Sequence, residues 1–195
     1  MKKRLLCTLL IVLCGMSLMG VASAAAGADP SPAGGKKKIA IMFVNDAKTT
    51  YDSELNSAIG RNFDQLFAAK YEMRPGEKYI ELLNKAGIVD VAAAERADIM
   101  AVVKGEDLDY ILYAELQPFL RKEKITAFTY GIEMTAIMPI KIIDVKQNVY
   151  LYNGKFTEIA KDSSAVGGIG NKSVALKALR HTLEKMNAVV AERMP

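Results

Sequence analysis

This chain has no tryptophan, a single histidine and two cysteines, and these absences narrow its chemistry before any motif is read. Cys7 and Cys14 both fall in the apolar opening segment, so everything beyond residue 14 is free of cysteine. That body can form neither a disulfide nor a thiolate metal site. Zinc sites draw on several His or Cys ligands and are excluded with it. A lone histidine also restricts acid–base catalysis. A Ser-His-Asp arrangement would have to recruit His181 with Ser163, Ser164 or Ser173, and no Gly-x-Ser-x-Gly elbow is present. On a helix, His181 lies about 200° round from Leu179, away from the apolar stripe and toward the surface.

A surplus of one charge is missing too. The chain has 26 Lys+Arg against 22 Asp+Glu. Loss of residues 1–24, with Lys2, Lys3 and Arg4, leaves 23 basic against 22 acidic side chains, a net charge of +1. Nucleic-acid binders carry a concentrated cationic footprint, and a near-neutral body has none.

What is present begins with an address. Met1 to Arg4 form a positive start, residues 5–21 an apolar core, and Ala22-Ser23-Ala24 the small-x-small pattern that signal peptidase accepts. The pattern predicts a signal peptide at 1–24, a Pro/Gly-rich flexible linker at 25–37 and one folded domain at 38–195. The destination is then the periplasm or the outside. The alternative is an uncleaved membrane anchor, because the apolar stretch approaches the roughly 20 residues that span a bilayer. Lipid attachment at Cys14 is disfavoured, since Leu13 stands where a small residue belongs. Lys36, Lys37 and Lys38 either touch anionic lipid or cell-wall polymer, or simply keep the next strand soluble.

Beyond the linker the periodicities are legible. Residues 39–44 form a continuous apolar run of strand length, as in a strand covered on both faces. Tyr51, Leu55, Ile59, Phe63, Leu66 and Phe67 make a helical stripe, with Thr49 or Thr50 as cap. A short strand at 71–73 precedes a helix opened at Pro75 and closed at Gly87, and Asp90 caps an alanine-rich helix to about Lys104. Residues 110–114 read as a central strand. From Phe128 to Ile142 the even positions are apolar, and Thr129, Glu133, Thr135 and Lys141 suggest that the other face is wet. Pro139 implies an edge, a bulge or a break there. A turn at 144–148 leads into 149–152, closing a long hairpin over 125–159. Leu176, Leu179, Leu183, Met186 and Val190 mark a C-terminal helix. The sum is a three-layer α/β (α+β) domain with a mixed sheet of about five strands and about four helices.

Three patterns are candidates for chemistry. Glu106-Asp107-Leu108-Asp109 clusters carboxylates before a strand, without the Asp-x-Asp-x-Asp-Gly spacing of a calcium loop. Residues 165–173 resemble a phosphate loop but carry Asn171 where glycine precedes Lys-Ser, and Val166 where the upstream glycine belongs. Gly167, Gly168, Gly170, Asn171, Lys172 and Ser173 are therefore either an anion-binding loop or a plain connection, with Asn171 or Ser173 as helix cap. Tyr150, Tyr152 and Phe156 share a strand parity, which makes them either a partner-binding surface or core beneath the C-terminal helix. No cofactor is implied.

The order of elements resembles the α/β domain shared by the curli-secretion protein CsgG, the penicillin-binding-protein activator LpoB and the N-terminal domain of TolB. The residues that carry the resemblance are 38–44 (KIAIMFV), 108–116 (LDYILYAEL) and 140–147 (IKIIDVKQ), with Ala114 and Gln147-Asn148 departing from the family's glycines. It implies a non-catalytic exported envelope protein that binds a partner protein or assembles, a homo-oligomer included. The competing readings are a cation-assisted periplasmic hydrolase using Asp107 and Asp109, and a subunit of an oligomeric secretion channel. A channel would need further strands to close a barrel.

Overall fold

The apolar run at 39–44 is the middle of β1 (Lys37–Asn45), the innermost strand of a parallel trio in a computed structural model that describes residues 35–165 and 168–194. The signal peptide, the anchor and lipid alternatives, most of the linker and Gly167 lie outside those residues. The strand starts at Lys37, two positions before the apolar run from which it was expected. It pairs in parallel with β2 (Tyr71–Pro75) and β3 (Tyr110–Leu116). Its side chains alternate between two cores: Ile39 faces one, Ala40 and Met42 the other. That explains a run with no polar interruption.

Between β1 and β2, α1 (Asp52–Phe67) buries Leu55, Ile59, Phe63 and Phe67 of the predicted stripe, with Tyr51 and Leu66 partly buried at its margin. Its cap differs from expectation. Tyr51 holds the N-cap position without a side-chain bond, and Asp52 accepts hydrogen bonds from the amide and hydroxyl of Thr49 at 3.0 and 2.7 Å. The alanine-rich helix is shorter than its pattern suggests. After α2 (Glu77–Lys85) the chain passes Gly87 at φ +83°, and Asp90 caps only a turn, accepting from the amide of Ala92 at 2.6 Å. Helix α3 (Arg96–Val102) begins later, where Glu95 and Asp98 form a capping box.

The sheet has six strands, one more than the pattern suggested. The additional strand is β4 (Leu120–Ile125); β5 (Tyr130–Asp144) and β6 (Val149–Ser164) complete the sheet. Along one side of β5, β3 pairs antiparallel with residues 140–144 and β4 with 130–135. Along the other side β6 runs the whole length and is the sheet edge. Pro139 thus sits inside a continuous interior strand, contrary to expectation. It falls where the β3 register has ended and that of β4 has not begun, a gap bridged by the Gln117 amide donating to the Ile137 carbonyl at 3.0 Å. A residue with no donor is tolerated where one flank lacks a ladder partner.

Helix α4 (Asn171–Arg193) crosses the sheet on the α1 side. Its first turns place Val174, Ala175 and Ala178 on Ile132, Met134, Ala136 and Ala160. Its later turns bury Leu179, Leu183, Met186 and Val190 with α1 against Leu112, Ile140 and Ile142. Each of the larger side chains contributes roughly 1.5–3 kcal/mol of burial. On the opposite face α2, α3 and residues 88–95 cover Ala40, Ile111, Tyr113 and Ile143. The three layers are therefore complete over β1, β3 and the C-terminal half of β5. On the N-terminal side of Pro139 the sheet keeps α4 on one face alone.

Candidate functional site

That uncovered face is built in cross-strand rows. In an antiparallel ladder directly opposed residues point to the same side. Lys124, Gly131 and Ser163 form the outermost row, followed by Lys122, Glu133 and Lys161, then Leu120, Thr135 and Ile159, then Ile137 and Thr157, and then Pro139 and Lys155. Leu120 is 54% exposed and Ile159 47%, whereas Thr135 between them, expected on the wet face, is buried by these flanking strands. At the hairpin end Ile125 and Phe128 are exposed at 72% and 84%, so Phe128 lies outside the strand and out of the core in which its parity placed it. Charge on the face is mostly basic. Lys161 pairs with Glu133 at 2.9 Å and holds its carboxyl below the usual range, while Lys122, Lys124 and Lys155 have no ion-pair partner among the described residues. The result is an apolar centre with a cationic rim.

The aromatic trio does not share one face. A bulge between Ile142 and Ile143 makes Ile142 oppose Tyr152 and Ile143 oppose Tyr150, leaving Leu151 as the extra residue. Tyr152 and Phe156 stack at 5.3 Å with ring planes 3° apart, against the α1–α4 core, and Phe156 is buried. Tyr150 is turned to the other side and packs beside the α2–α3 core.

The glycine-rich loop leads into α4 with Gly168 at φ +87° and Gly170 in the N-cap position. Neither Asn171 nor Ser173 caps the helix. Asn171 accepts from Nε of Arg121 at 3.0 Å, the Ser173 hydroxyl donates to the Gly170 carbonyl at 2.8 Å, and Lys172 pairs with Glu54 of α1. The lysine run is engaged as well. Lys36 donates to the Ala68 carbonyl at 2.9 Å, Lys37 to the Tyr110 hydroxyl at 2.9 Å, and Lys38 pairs with Asp107.

The acidic cluster disperses in the same manner. Glu106 is met by Lys78 at 2.7 Å, Asp107 by Lys38, and Asp109 by Lys146 at 2.5 Å and the Lys38 amide at 2.8 Å. Hydrogen bonds from these lysines hold Glu106 and Asp107 below the ordinary carboxylate range. Three carboxylates with three separate lysines build no shared oxygen cage, and no group of three or more metal-binding side chains occurs among the described residues. His181 is half-buried on α4.

Sequence reasoning missed a buried polar group on the α2–α3 side. Lys141, expected to be wet, is 6% exposed and donates to the carbonyls of Ala92 and Ala94 at 3.2 and 2.5 Å. Burial lowers its pKa, with Asp90 and Glu95 working against that. Glu115, also 6% exposed, accepts from the amide of Val91 at 3.0 Å, and burial raises its carboxyl above the usual range. Tyr113, opposite Lys141, has a buried hydroxyl with no partner among the described residues and is pushed by desolvation up to about 12. The only sequence signal was Glu115 and Lys141 standing in otherwise apolar strands.

No protein-family model and no curated protein matches the chain. Solved structures do. A hypothetical protein from Chlamydia trachomatis is similar at a TM-score of 0.51 and 9% identity, covering 80% of this chain and 98% of that one. A lipoprotein from Neisseria meningitidis is similar at 0.41 and 12%, covering 80% and 99%. The C-terminal domain of LpoB from Salmonella enterica is similar at 0.34 and 10%, covering 62% and 81%. At such identities the likeness concerns the fold alone, and of the three only the Chlamydia protein exceeds 0.5. The chain has a fold found in a bacterial protein of nearly the same extent. Among the described residues, no helix is long and apolar enough to cross a membrane.

Proposed function

We propose that this is an exported bacterial envelope protein that works by contact, binding a partner protein through the open face of β4, β5 and β6. The observation that carries the reading is the pair Leu120 and Ile159, exposed apolar side chains on either side of the buried Thr135, standing among lysines on a sheet face that no helix covers. Exposed apolar patches with a polar rim mark interaction sites. Its charge selects the partner: an apolar segment flanked by acidic side chains complements Lys122, Lys124 and Lys155. Export is supported by the leader pattern at 1–24. The fold by itself assigns no activity.

The test is photo-crosslinking from position 159 in intact cells, with the adduct identified by mass. One discrete heterologous adduct is expected, lost in Leu120→Glu and retained in Val89→Glu, which changes an exposed apolar residue away from this face. An adduct indifferent to Leu120→Glu, or a second copy of the chain as the crosslinked species, would overturn the assignment. Terminal sequencing of the same material should start at Ala25.

A further inference from the structure

The open face ends, past Pro139 and Lys155, in a cleft with different chemistry. Its next row is Lys141 opposite Asn153, and α3 with the preceding loop forms a wall across it. The cavity measures about 680 Å³ and is lined by Lys141, Arg96, Tyr150, Asn148, Asn153 and Glu95, among others. Ligand sites typically enclose about 300–1,000 Å³.

Four features of this cleft converge. First, Lys141 is a buried cation whose direct hydrogen-bond partners are two neutral carbonyls, with no ion pair among the described residues. An ammonium has three donors, and these carbonyls occupy two. Second, the Arg96 guanidinium is also without an ion pair and lies 5.8 Å from the centre of the Tyr150 ring, with the Lys141 ammonium 5.9 Å from the same centre. Third, Tyr150 reaches the cleft only because of the bulge at Ile142/Ile143; without it, strand parity would send the ring to the α4 side. Bulges re-aim side chains in this manner and are enriched beside binding sites. Fourth, Asn148 and Asn153 bring amide donors and acceptors to the rim, and Glu95 is the one acid of the lining. Two cations around one aromatic ring, neither in a direct ion pair among the described residues and with Glu95 the single acid of the lining, leave the cleft with a net positive charge complementary to an anion. Arg presents a planar fork that suits a carboxylate.

We propose that this cleft binds a small carboxylate, gripped by Arg96 and Lys141 beside Tyr150, with its polar body hydrogen-bonded by Asn148 and Asn153. The site is independent of the partner-binding face, because it shares none of the residues that carry that reading. A sugar acid and a peptide C-terminus present the same carboxylate chemistry, and the experiment separates them.

The purified chain is titrated by NMR with glucuronate, with N-acetylalanine, with the uncharged N-acetylalaninamide and with inorganic phosphate. One of the two carboxylates should give saturable shifts at Tyr150, Asn153 and residues 94–97, and the amide should give none. Arg96→Gln, a change at the cleft rim, should weaken that binding about tenfold or more, as expected for loss of a charged hydrogen bond. Lys141→Met should abolish it, and the Arg96→Gln result stands by itself if Lys141→Met does not fold. Absence of saturable shifts with both carboxylates, equal binding of the amide, tighter binding of phosphate, or indifference to Arg96→Gln would each reduce Lys141 to a clamp on the 92–94 carbonyls and overturn the proposal.

Discussion

The two halves of β5 share one backbone ladder with β6 and meet opposite surroundings. Ile140, Ile142 and Ile143 are sealed beneath helices on both sides, whereas around Glu133 and Ile137 the strand has α4 on one face and solvent on the other. Pairing alone therefore does not decide where the core lies; helical cover does. The doubly covered half holds the fold, and the singly covered half has a face to spare for another molecule.

Core truncation should divide the halves most sharply. Leu112→Ala, beneath α1 and α4, is expected to cost about 2–5 kcal/mol in urea unfolding. A loss under about 1 kcal/mol would mean that the sealed half is loosely packed. A pair of glycines gives the next contrast. A Cβ on Gly76 would stand 2.2 Å from the Ile41 carbonyl oxygen and 2.7 Å from the Met42 Cα, backbone atoms of β1 that cannot yield, so Gly76→Ala should destabilise by roughly 3 kcal/mol. On Gly131 the nearest atom is the Asp162 carbonyl oxygen at 3.4 Å, and Gly131→Ala in the half-covered region should be neutral or stabilise by about 0.5 kcal/mol.

Glu115 provides a pH-dependent contrast. Desolvation raises its carboxyl above the ordinary 4.5, although the Val91 amide pulls the other way, so the native chain holds that proton more tightly than the unfolded one. Its contribution is fully present below the unfolded value and is lost as pH rises through the folded one. Glu115→Gln keeps an acceptor for Val91 and removes the charge. Its melting temperature should therefore exceed the wild type at about pH 7 and match it at about pH 4. An equal gap at both would show that Glu115 is solvated. Smallest of all, Leu120→Ser should change stability by no more than about 0.5 kcal/mol, the range of exposed substitutions, while weakening the crosslink from position 159.

The sealed half was the half legible in advance. β1, α1, β3 and α4 bury one or two faces each, and burial writes a period into the residues. β4 left no such trace. All six of its residues are exposed, and its ladder bonds to β5 are indifferent to side chain. Asp90 looked like a helix start because Asp caps turns and helices alike, although the Glu95–Asp98 box that begins α3 was in view. The aromatic trio failed for another reason. Its parity argument assumes an unbroken strand, and the bulge after Ile142 has no local signature. Lys141 was read as wet because alternation reports what a strand offers and not which loop folds over it.

One helix spans both regions. At 23 residues α4 is about 34 Å long, and it acts as a splint whose leading turns brace the bare hairpin and whose trailing turns are fixed in the main core. Fraying from its glycine end would loosen the hairpin while leaving the rest intact. Amide exchange should accordingly be graded along α4, fastest near Val174 and slowest near Met186, and a partner clasped by the hairpin would slow it from the far side of the sheet.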